Sequence, residues 1–126
     1  EGLNPGQQHG MHIHMDGDLS QGCKSAGGHY NPEGTKHGAY NDDKKDRHDG
    51  DLKFLEADSN GVAEYDDFCD SLVDLWGKDS VLGRAVVVHA GVDDLGKGGD
   101  LGSEASGNAG ARAACCIIGR VTEKPE

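Results

Sequence analysis

The stretch HGMHIHMD at residues 9–16 decides the fold of the chain around it. Apolar residues and histidines alternate here with a period of two, which is typical of a β-strand. The alternation puts His12 and His14 on one face of the strand, opposite Met11 and Ile13. Two imidazoles on one face of a single strand can converge on one metal ion, so this stretch predicts a strand that carries metal ligands.

Histidine is concentrated around this strand: residues 9–51 hold six of the seven histidines, and Asp51 follows the sixth by three positions. Imidazole and carboxylate side chains are ligands suited to copper and zinc. A copper site built from several imidazoles would use His12, His14, His29 and His89. If the ring of His29 bridges two ions, a zinc site is completed by His37, His48 and Asp51. His9 is then left over, and we expect it to have a structural hydrogen-bonding role.

The composition predicts one domain over residues 1–126 with short strands and long loops. The chain has 21 glycines and three prolines, and only 34% of its residues are hydrophobic. Residues 17–50 and 90–113 show no periodicity of either kind, so each is predicted to be a long glycine-rich loop. Metal ions and a disulfide could order loops that bury little apolar surface.

The charge pattern argues against two classes of partner. The formal net charge is −11 and the isoelectric point is about 4.9. Nucleic acid and anionic membranes would repel such a surface, so neither is expected as a partner. No apolar run is long enough to span a bilayer. The chain begins without a basic and then apolar leader, and we expect a mature or truncated N-terminus.

Other segments read as strands with turns between them. Residues 51–55 and 62–68, joined by a tight turn at 58–61, predict an antiparallel hairpin. Residues 84–89 have the strongest β-branched content and end in the seventh histidine. Residues 114–121 predict a last apolar strand, followed by a polar tail at 122–126.

The four cysteines are Cys23, Cys69, Cys115 and Cys116. They permit one or two disulfides, and three pairings are possible if all four are used. The sequence alone does not choose among them. A free buried thiol is the simpler expectation for at least one of Cys69 and Cys116.

Seven motifs in order, from residue 2 to about residue 119, resemble the copper/zinc superoxide dismutase family. They are HGMHIH, GCKSAGGHYNP, KHG, RHDGDL, GRAVVVH, DDLGKGG and GNAGARAAC. The resemblance implies an all-β fold, a Greek-key β-barrel or sandwich with two long loops. The family barrel has eight strands, and this chain lacks residues for about the first three. We therefore expect a sequence that is partial at its N-terminus, or a neighbouring chain that supplies the missing strands.

The resemblance also implies roles for individual residues. The copper ligands would be His12, His14, His29 and His89, and the zinc ligands would be His29, His37, His48 and Asp51. Cys23 and Cys115 would form the disulfide. Arg112 would dock the superoxide anion, and Asp93 would link a copper ligand to a zinc ligand by hydrogen bonds.

The function implied by the resemblance is dismutation of superoxide to dioxygen and hydrogen peroxide, with His29 and Arg112 as catalytic residues and copper and zinc as cofactors. The alternative is a metal carrier or structural extracellular protein of the same fold with little turnover. Asp16 and Arg120 stand where the family's dimer interface is commonly apolar, so we expect a homo-oligomer other than the usual dimer. The acidity and the extra cysteines favour an extracellular location over a cytoplasmic one.

Overall fold

The structure is a computed structural model, and it describes residues 1–65 and 69–121. Six strands, one α-helix and one 3-10 helix occur in this part of the chain. They are β1 (Gln8–His9), β2 (Met11–His14), β3 (Ser20–Cys23), the 3-10 helix (Lys24–Ala26), β4 (Leu55–Glu56), β5 (Ala85–His89), α1 (Leu101–Ser106) and β6 (Arg112–Ile117). The predicted all-β class is confirmed, since the sheets are antiparallel and the helices are short. Within the described ranges the strands do not close into a barrel.

The main sheet has three strands in the order β2-β5-β6, all antiparallel. Valine-rich β5 lies in the middle, as expected for a strand with two neighbours. His12 pairs with Val87 across β2 and β5, and His89 at the end of β5 pairs with Arg112 on β6. A bulge between Val88 and His89 shifts the register just before the histidine, where such irregularities re-aim side chains. The ends of the sheet therefore bring His12, His89 and Arg112 into one region.

The predicted hairpin at 51–55 and 62–68 was wrong in its pairing. Leu55–Glu56 form β4, which pairs antiparallel with β1 rather than with the segment that follows. The tight turn is present, because Gly61 N–H donates to the Asp58 carbonyl and Asp58 N–H donates to the Val62 carbonyl. Residues 62–65 form no strand, and residues 66–68 lie outside the described residues. β4 therefore pairs with a strand that is distant in sequence, and the predicted pairing with residues 62–68 is absent from the described residues.

The hydrophobic core is small and divided. One cluster contains Ile13, Tyr30 and Val81, and another contains Ala26, Ala85 and Val87. Among the described residues, twelve polar or charged residues are also buried, and they include all seven histidines. All four residues of β2 are buried, so the histidine face of this strand is enclosed as fully as its apolar face. Burying so many polar groups is costly unless each finds a partner, which points to a site.

The second long loop contains a helix that the sequence analysis did not predict. Asp100 caps the N-terminus of α1 by accepting a hydrogen bond from Ser103 N–H, and Gly107 ends it with a left-handed φ of 70°. Both are recognised cap residues and could have been found from the sequence. The final strand, β6, also begins earlier than the predicted residues 114–121. None of the helices in the described part of the chain is long and apolar enough to cross a membrane.

Candidate metal centre

Four histidines from three parts of the chain form the first cluster. Their ligand atoms all lie within 4.8 Å of one another, and the residues are His12, His14, His29 and His89. His14 Nε2 faces His89 Nε2 at 3.3 Å. Two strands supply three of the rings, and an antiparallel bridge between His29 and His14 brings the fourth from the first long loop. The cluster is buried, as a site that excludes bulk water must be.

The second cluster converges on one carboxylate oxygen, Asp51 Oδ1. His37 Nδ1 lies 2.8 Å from this oxygen, His29 Nδ1 2.9 Å and His48 Nδ1 3.2 Å. His29 Nδ1 is also 3.2 Å from His48 Nδ1. The other carboxylate oxygen accepts hydrogen bonds from the backbone N–H groups of Gly38 and His48, which fixes the side chain. Three imidazoles and a carboxylate form a donor set of the kind that binds zinc.

His12 also lies within 4.8 Å of the donors of His29, His37 and Asp51. Its Nε2, however, is 2.7 Å from Asp93 Oδ2 and is engaged there. Only its Nδ1 is free to bind an ion. We therefore group His12 with the all-histidine cluster and His48 with the cluster around Asp51.

The donors fit a metal ion, because two of the ring nitrogens that would bind it, His12 Nδ1 and His29 Nε2, are buried without a hydrogen bond. In the second cluster, His37 Nδ1 faces Asp51 Oδ1, which is itself a candidate ligand atom. Unpaired buried polar atoms are rare in folded proteins and need an explanation. In each of these rings the opposite nitrogen is anchored to a carboxylate. A ring held at one nitrogen and unpaired at the other is ready to bind an ion.

Asp93 connects the two clusters. Its Oδ2 lies 2.7 Å from His12 Nε2 and its Oδ1 lies 2.7 Å from His37 Nε2. Carboxylates that accept from metal-binding histidines fix the ring tautomer and orientation. Gly107 packs against this pair, and a Cβ at that position would collide with Asp93 Oδ1 and His37 Nε2. Asp93 therefore contacts one histidine of each cluster.

The charge states of the histidines suit ligands. Burial lowers the pKa of His14 and of His89 to about 4 and that of His29 to about 3. Arg112 contributes to the lowering at His14 and His89 by electrostatic repulsion of the protonated ring. These three imidazoles are neutral at pH 7, and the neutral form is the one that binds metal.

The carboxylate side of the site behaves in the opposite way. Burial lowers the pKa of His37, but hydrogen bonds to Asp51 and Asp93 outweigh it and raise the pKa to about 9. Burial raises the pKa of both carboxyl groups, and hydrogen bonds from the histidines outweigh this and hold each pKa well below its usual range. The ionised carboxylates of Asp51 and Asp93 therefore lie next to the imidazoles and favour a positive charge among them. A divalent cation bound among these groups would supply that charge.

Arg112 and the disulfide lie beside the first cluster. Cys23 and Cys115 are joined in a disulfide that spans 92 residues of sequence, as the resemblance implied. Arg112 Nη1 donates to the Cys23 carbonyl at 2.9 Å, so the bridge and the guanidinium hold each other in place. Arg112 is only partly buried, which leaves its charge open to solvent.

Cys69 and Cys116 are both free and exposed, so the expectation of a buried thiol was wrong.

Two supporting groups complete the site. His9 Nδ1 lies 2.9 Å from the His89 carbonyl, which agrees with its predicted structural role.

Sequence reasoning missed Arg47, which is 1% exposed and donates from Nη1 to the Asp51 carbonyl at 2.9 Å. Arg47 also forms a two-bond ion pair with Asp70. Its place immediately before the histidine of RHDGDL was the only signal in the sequence.

Comparison with known proteins agrees with this geometry. A family model described as copper/zinc superoxide dismutase matches residues 1–118. A protein of Paramecium bursaria Chlorella virus 1, named superoxide dismutase [Cu-Zn], is 52% identical over 122 residues. Proteins with the same name from Candida albicans and Cryptococcus neoformans are 54% identical over 119 residues and 52% identical over 110 residues.

The aligned regions cover most of this chain but less of each relative. They include 97% of the chain and 64% of the viral protein, 94% of the chain and 75% of the Candida albicans protein, and 87% of the chain and 70% of the Cryptococcus protein. The chain therefore spans about two thirds to three quarters of the length of these relatives.

Proposed function

The chain belongs to the copper/zinc superoxide dismutase family, and we propose that the protein dismutates superoxide to dioxygen and hydrogen peroxide. One observation carries the proposal. The ring of His29 belongs to both buried donor clusters, with Nδ1 near Asp51 and Nε2 unpaired. A single imidazole shared between two ligand sets suits a redox ion next to a structural ion.

We assign the all-histidine cluster to copper and the cluster around Asp51 to zinc. Imidazole-rich sets suit copper, and three imidazoles with one carboxylate suit a closed zinc site. The copper ligands are His12, His14, His29 and His89. The zinc ligands are His29, His37, His48 and Asp51. The partial exposure of Arg112, against the burial of every ligand, supports the approach of substrate on the side of the first cluster.

When bound, copper supplies the one-electron chemistry that oxidises one superoxide to dioxygen and reduces the next to hydrogen peroxide. Arg112 attracts the substrate anion with its positively charged guanidinium group. His29 Nε2 is the atom at which the chain can hold a proton between the two halves of the reaction. The reaction consumes two protons for each hydrogen peroxide, so a proton held at this position serves the second half.

The experiment measures metal content and turnover on the same sample. Copper and zinc are quantified by elemental analysis, and the rate constant for superoxide decay is measured by pulse radiolysis. Arg112→Ala should lower the rate constant by about tenfold or more, because local electrostatic steering contributes 10- to 1000-fold to association. Arg112→Lys should recover part of the loss. The matched control is Arg120→Ala, which removes the same charge from an exposed position stacked on Trp76.

The rival function is that of a metal carrier or structural extracellular protein with little turnover. A copper-loaded sample that shows no activity at any salt concentration would establish the carrier and refute the enzyme. The presence of a cation, Arg112, beside the first cluster favours the enzyme, because a carrier of zinc needs no anion site.

Location and assembly follow as further proposals. We propose that the protein is extracellular, and the acidic composition and the cysteines beyond the disulfide pair support this location. Fractionation of the native source tests it.

We also propose a homo-oligomer that differs from the usual family dimer. Asp16 and Arg120 are both exposed, and charged groups are costly at the centre of an interface. Analytical ultracentrifugation with Asp16→Phe as the comparison tests this assembly.

A further inference from the structure

The end of β5 contacts two side chains that belong to neither donor cluster. β5 ends at His89, and the chain continues through Ala90. His9 Nδ1 lies 2.9 Å from the His89 carbonyl oxygen. Gln7, immediately before β1, donates from Nε2 to the Ala90 carbonyl at 3.0 Å. Two consecutive carbonyls at this strand end therefore accept hydrogen bonds from side chains that are two positions apart.

A break in strand pairing explains why the His89 carbonyl needs a side-chain donor. In a hydrogen-bonded antiparallel pair, the two residues exchange both N–H···O bonds. His89 N–H donates to the Gly10 carbonyl at 2.8 Å, but Gly10 N–H donates to the Gly91 carbonyl at 3.0 Å instead of back to His89. The carbonyl of this buried residue loses that backbone donor, and a buried carbonyl without a partner is costly. The imidazole of His9 supplies a donor in its place.

The peptide group that joins His89 to Ala90 is fixed at two atoms. Its carbonyl oxygen accepts from His9, and its N–H donates to the Ala111 carbonyl at 2.7 Å. The carbonyl and the N–H of a trans peptide group point in opposite directions, so two such bonds leave the planar group little freedom to rotate. A side chain of β1 therefore restrains the backbone angle ψ of His89.

The ring of His89 leaves the Cα to which this peptide group is attached. Its Nδ1 lies 3.1 Å from the Gly110 carbonyl, and its Nε2 faces His14 Nε2 at 3.3 Å. Because a carbonyl can only accept, Nδ1 carries the proton and Nε2 is left to bind an ion. A rotation of the peptide group would move the ring away from both contacts.

His9 is suited to holding a ligand rather than to being one. It is 2% exposed, and in the described part of the chain its ring makes one hydrogen bond, which is the bond to His89. The opposite nitrogen, Nε2, is buried without a partner. An apolar side chain would fill this space without burying a polar group. The bond to the His89 carbonyl is therefore what an imidazole adds at this position.

Gln7 is oriented by the turn that precedes β1. Asn4 Nδ2 donates to Gln7 Oε1 at 3.1 Å, which leaves Gln7 Nε2 to donate to the Ala90 carbonyl. Gln7 N–H also donates to the Asn4 carbonyl at 3.2 Å. The side-chain amide is held at both of its polar atoms, and it restrains the backbone one residue beyond His89.

We propose that His9 and Gln7 are positioning residues for the copper ligand His89. This role rests on the proposed function, which assigns His89 to copper. By holding two consecutive carbonyls, the side chains keep the ring directed toward the all-histidine cluster before an ion binds. Copper binding then has a lower ordering cost, and losing an outer contact of this kind typically lowers metal affinity by about 10- to 100-fold.

Copper affinity and the electron paramagnetic resonance spectrum of bound Cu(II) test the role of His9. Both are measured on zinc-loaded protein, the affinity by competition with a chelator. His9→Leu should lower the copper affinity by about tenfold or more and change the parallel hyperfine splitting, because His89 loses its fixed geometry. His9→Asn places an amide N–H near the position of Nδ1 and should recover most of both losses. A side chain that only stabilises the fold would leave the spectrum of folded, copper-bound protein unchanged.

Gln7 and Gln8 provide a matched pair of variants. Gln7→Leu should lower the copper affinity by about two- to tenfold, the range expected for one neutral hydrogen bond. Gln8→Leu makes the same change one residue along, where Nε2 donates to Glu56 Oε1 at 3.1 Å, and should leave the copper affinity unchanged. The zinc affinity of copper-free protein should be unchanged in every variant, because His89 does not belong to the cluster around Asp51.

Three results would overturn the proposal. The first is a wild-type spectrum and copper affinity in both His9→Leu and Gln7→Leu. The second is an equal loss in His9→Asn and His9→Leu, which would assign the effect to packing, and the third is a wild-type protein that binds no copper. If His9→Leu is unfolded by circular dichroism, the copper affinity of Gln7→Leu decides, because Gln7 is only partly buried. Wild-type protein that binds copper without turnover would refute the dismutase and leave the positioning role standing.

Discussion

Replacing Asp70 by asparagine removes the negative charge that faces the buried guanidinium of Arg47. The two side chains are 2% and 4% exposed, and they form two hydrogen bonds, one from Nη1 to Oδ2 at 2.8 Å and one from Nη2 to Oδ1. Arg47 Nη1 also donates to the Asp51 carbonyl. The pair therefore joins the loop that carries His37 and His48 to the segment after residue 68.

The expected loss follows from this burial. Removing one partner of a buried ion pair leaves an uncompensated charge and costs about 3–5 kcal/mol. Asparagine keeps the size of the side chain and can still accept from Leu72 N–H, as Asp70 Oδ1 does at 2.9 Å. The loss therefore reports the charge rather than the shape.

The assay is urea unfolding of metal-free protein with the disulfide intact, at one protein concentration, followed by circular dichroism. With an m value of about 2 kcal/mol/M, the predicted loss lowers the midpoint by about 2 M. The matched control is Glu33→Gln, which makes the same chemical change in the exposed ion pair with Lys44. Exposed pairs contribute about 0–1 kcal/mol, so this midpoint should move by under about 0.5 M.

Equal shifts in Asp70→Asn and Glu33→Gln would refute the reasoning, because burial would then make no difference. The double variant Arg47→Met with Asp70→Leu provides a second check. Replacing both charges with apolar groups of similar volume should recover most of the loss. A double variant as unstable as Asp70→Asn would show that the hydrogen bond to the Asp51 carbonyl, rather than the ion pair, dominates.

Three further predictions concern the metal centre. Asp93→Asn should lower zinc affinity by about 10- to 100-fold, measured by competition with a chromophoric chelator, and an unchanged affinity would exclude its orienting role. Reducing the Cys23–Cys115 bridge should lower the free energy of unfolding by about 4–5 kcal/mol in the chain-entropy model, because the bridge spans 92 residues; calorimetry of the reduced and oxidised protein checks this. The stability of metal-free protein should be greatest near pH 6.5. Three histidines, His14, His29 and His89, have lowered pKa values in the folded protein, so the unfolded state binds more protons and the free energy of unfolding falls as the pH drops from 6.5 toward 4. His37 has a raised pKa, so its contribution to the free energy of unfolding is lost as the pH rises from 6.5 through about 9. Urea midpoints across this range that rise steadily with pH would contradict the assignment at His37.

The histidine strand could be predicted because its information is local. A period of two fixes which side chains share a face of β2, and no distant contact is needed to know that His12 and His14 do. The position of His29 could be predicted only through the family resemblance. Its ring reaches the site because loop backbone pairs with the strand, through Tyr30 N–H to the Ile13 carbonyl and Ile13 N–H to the Gly50 carbonyl.

The pairing of β4 could not be read from its own sequence. The turn at 58–61 is a strong hairpin signal, and the turn formed as predicted. A turn, however, sets only local geometry, and a two-residue strand pairs with whichever edge the tertiary structure offers. Here that edge was Gln8–His9, which lies 46 residues earlier than Leu55 in the register His9↔Leu55. The ion pair of Arg47 and Asp70 escaped prediction for the same reason.

Asp93 makes the two donor clusters one physical unit. Its two oxygens hold His12 and His37 at the same distance, so each ring is oriented by a carboxylate that the other ring also constrains. An ion bound at His37 Nδ1 would restrain that ring and, through Asp93, the direction of His12 Nδ1. His29 provides a second link through its opposite ring nitrogens. We therefore predict that metal binding at one cluster tightens binding at the other, and linkage requires the factor to be equal in both directions.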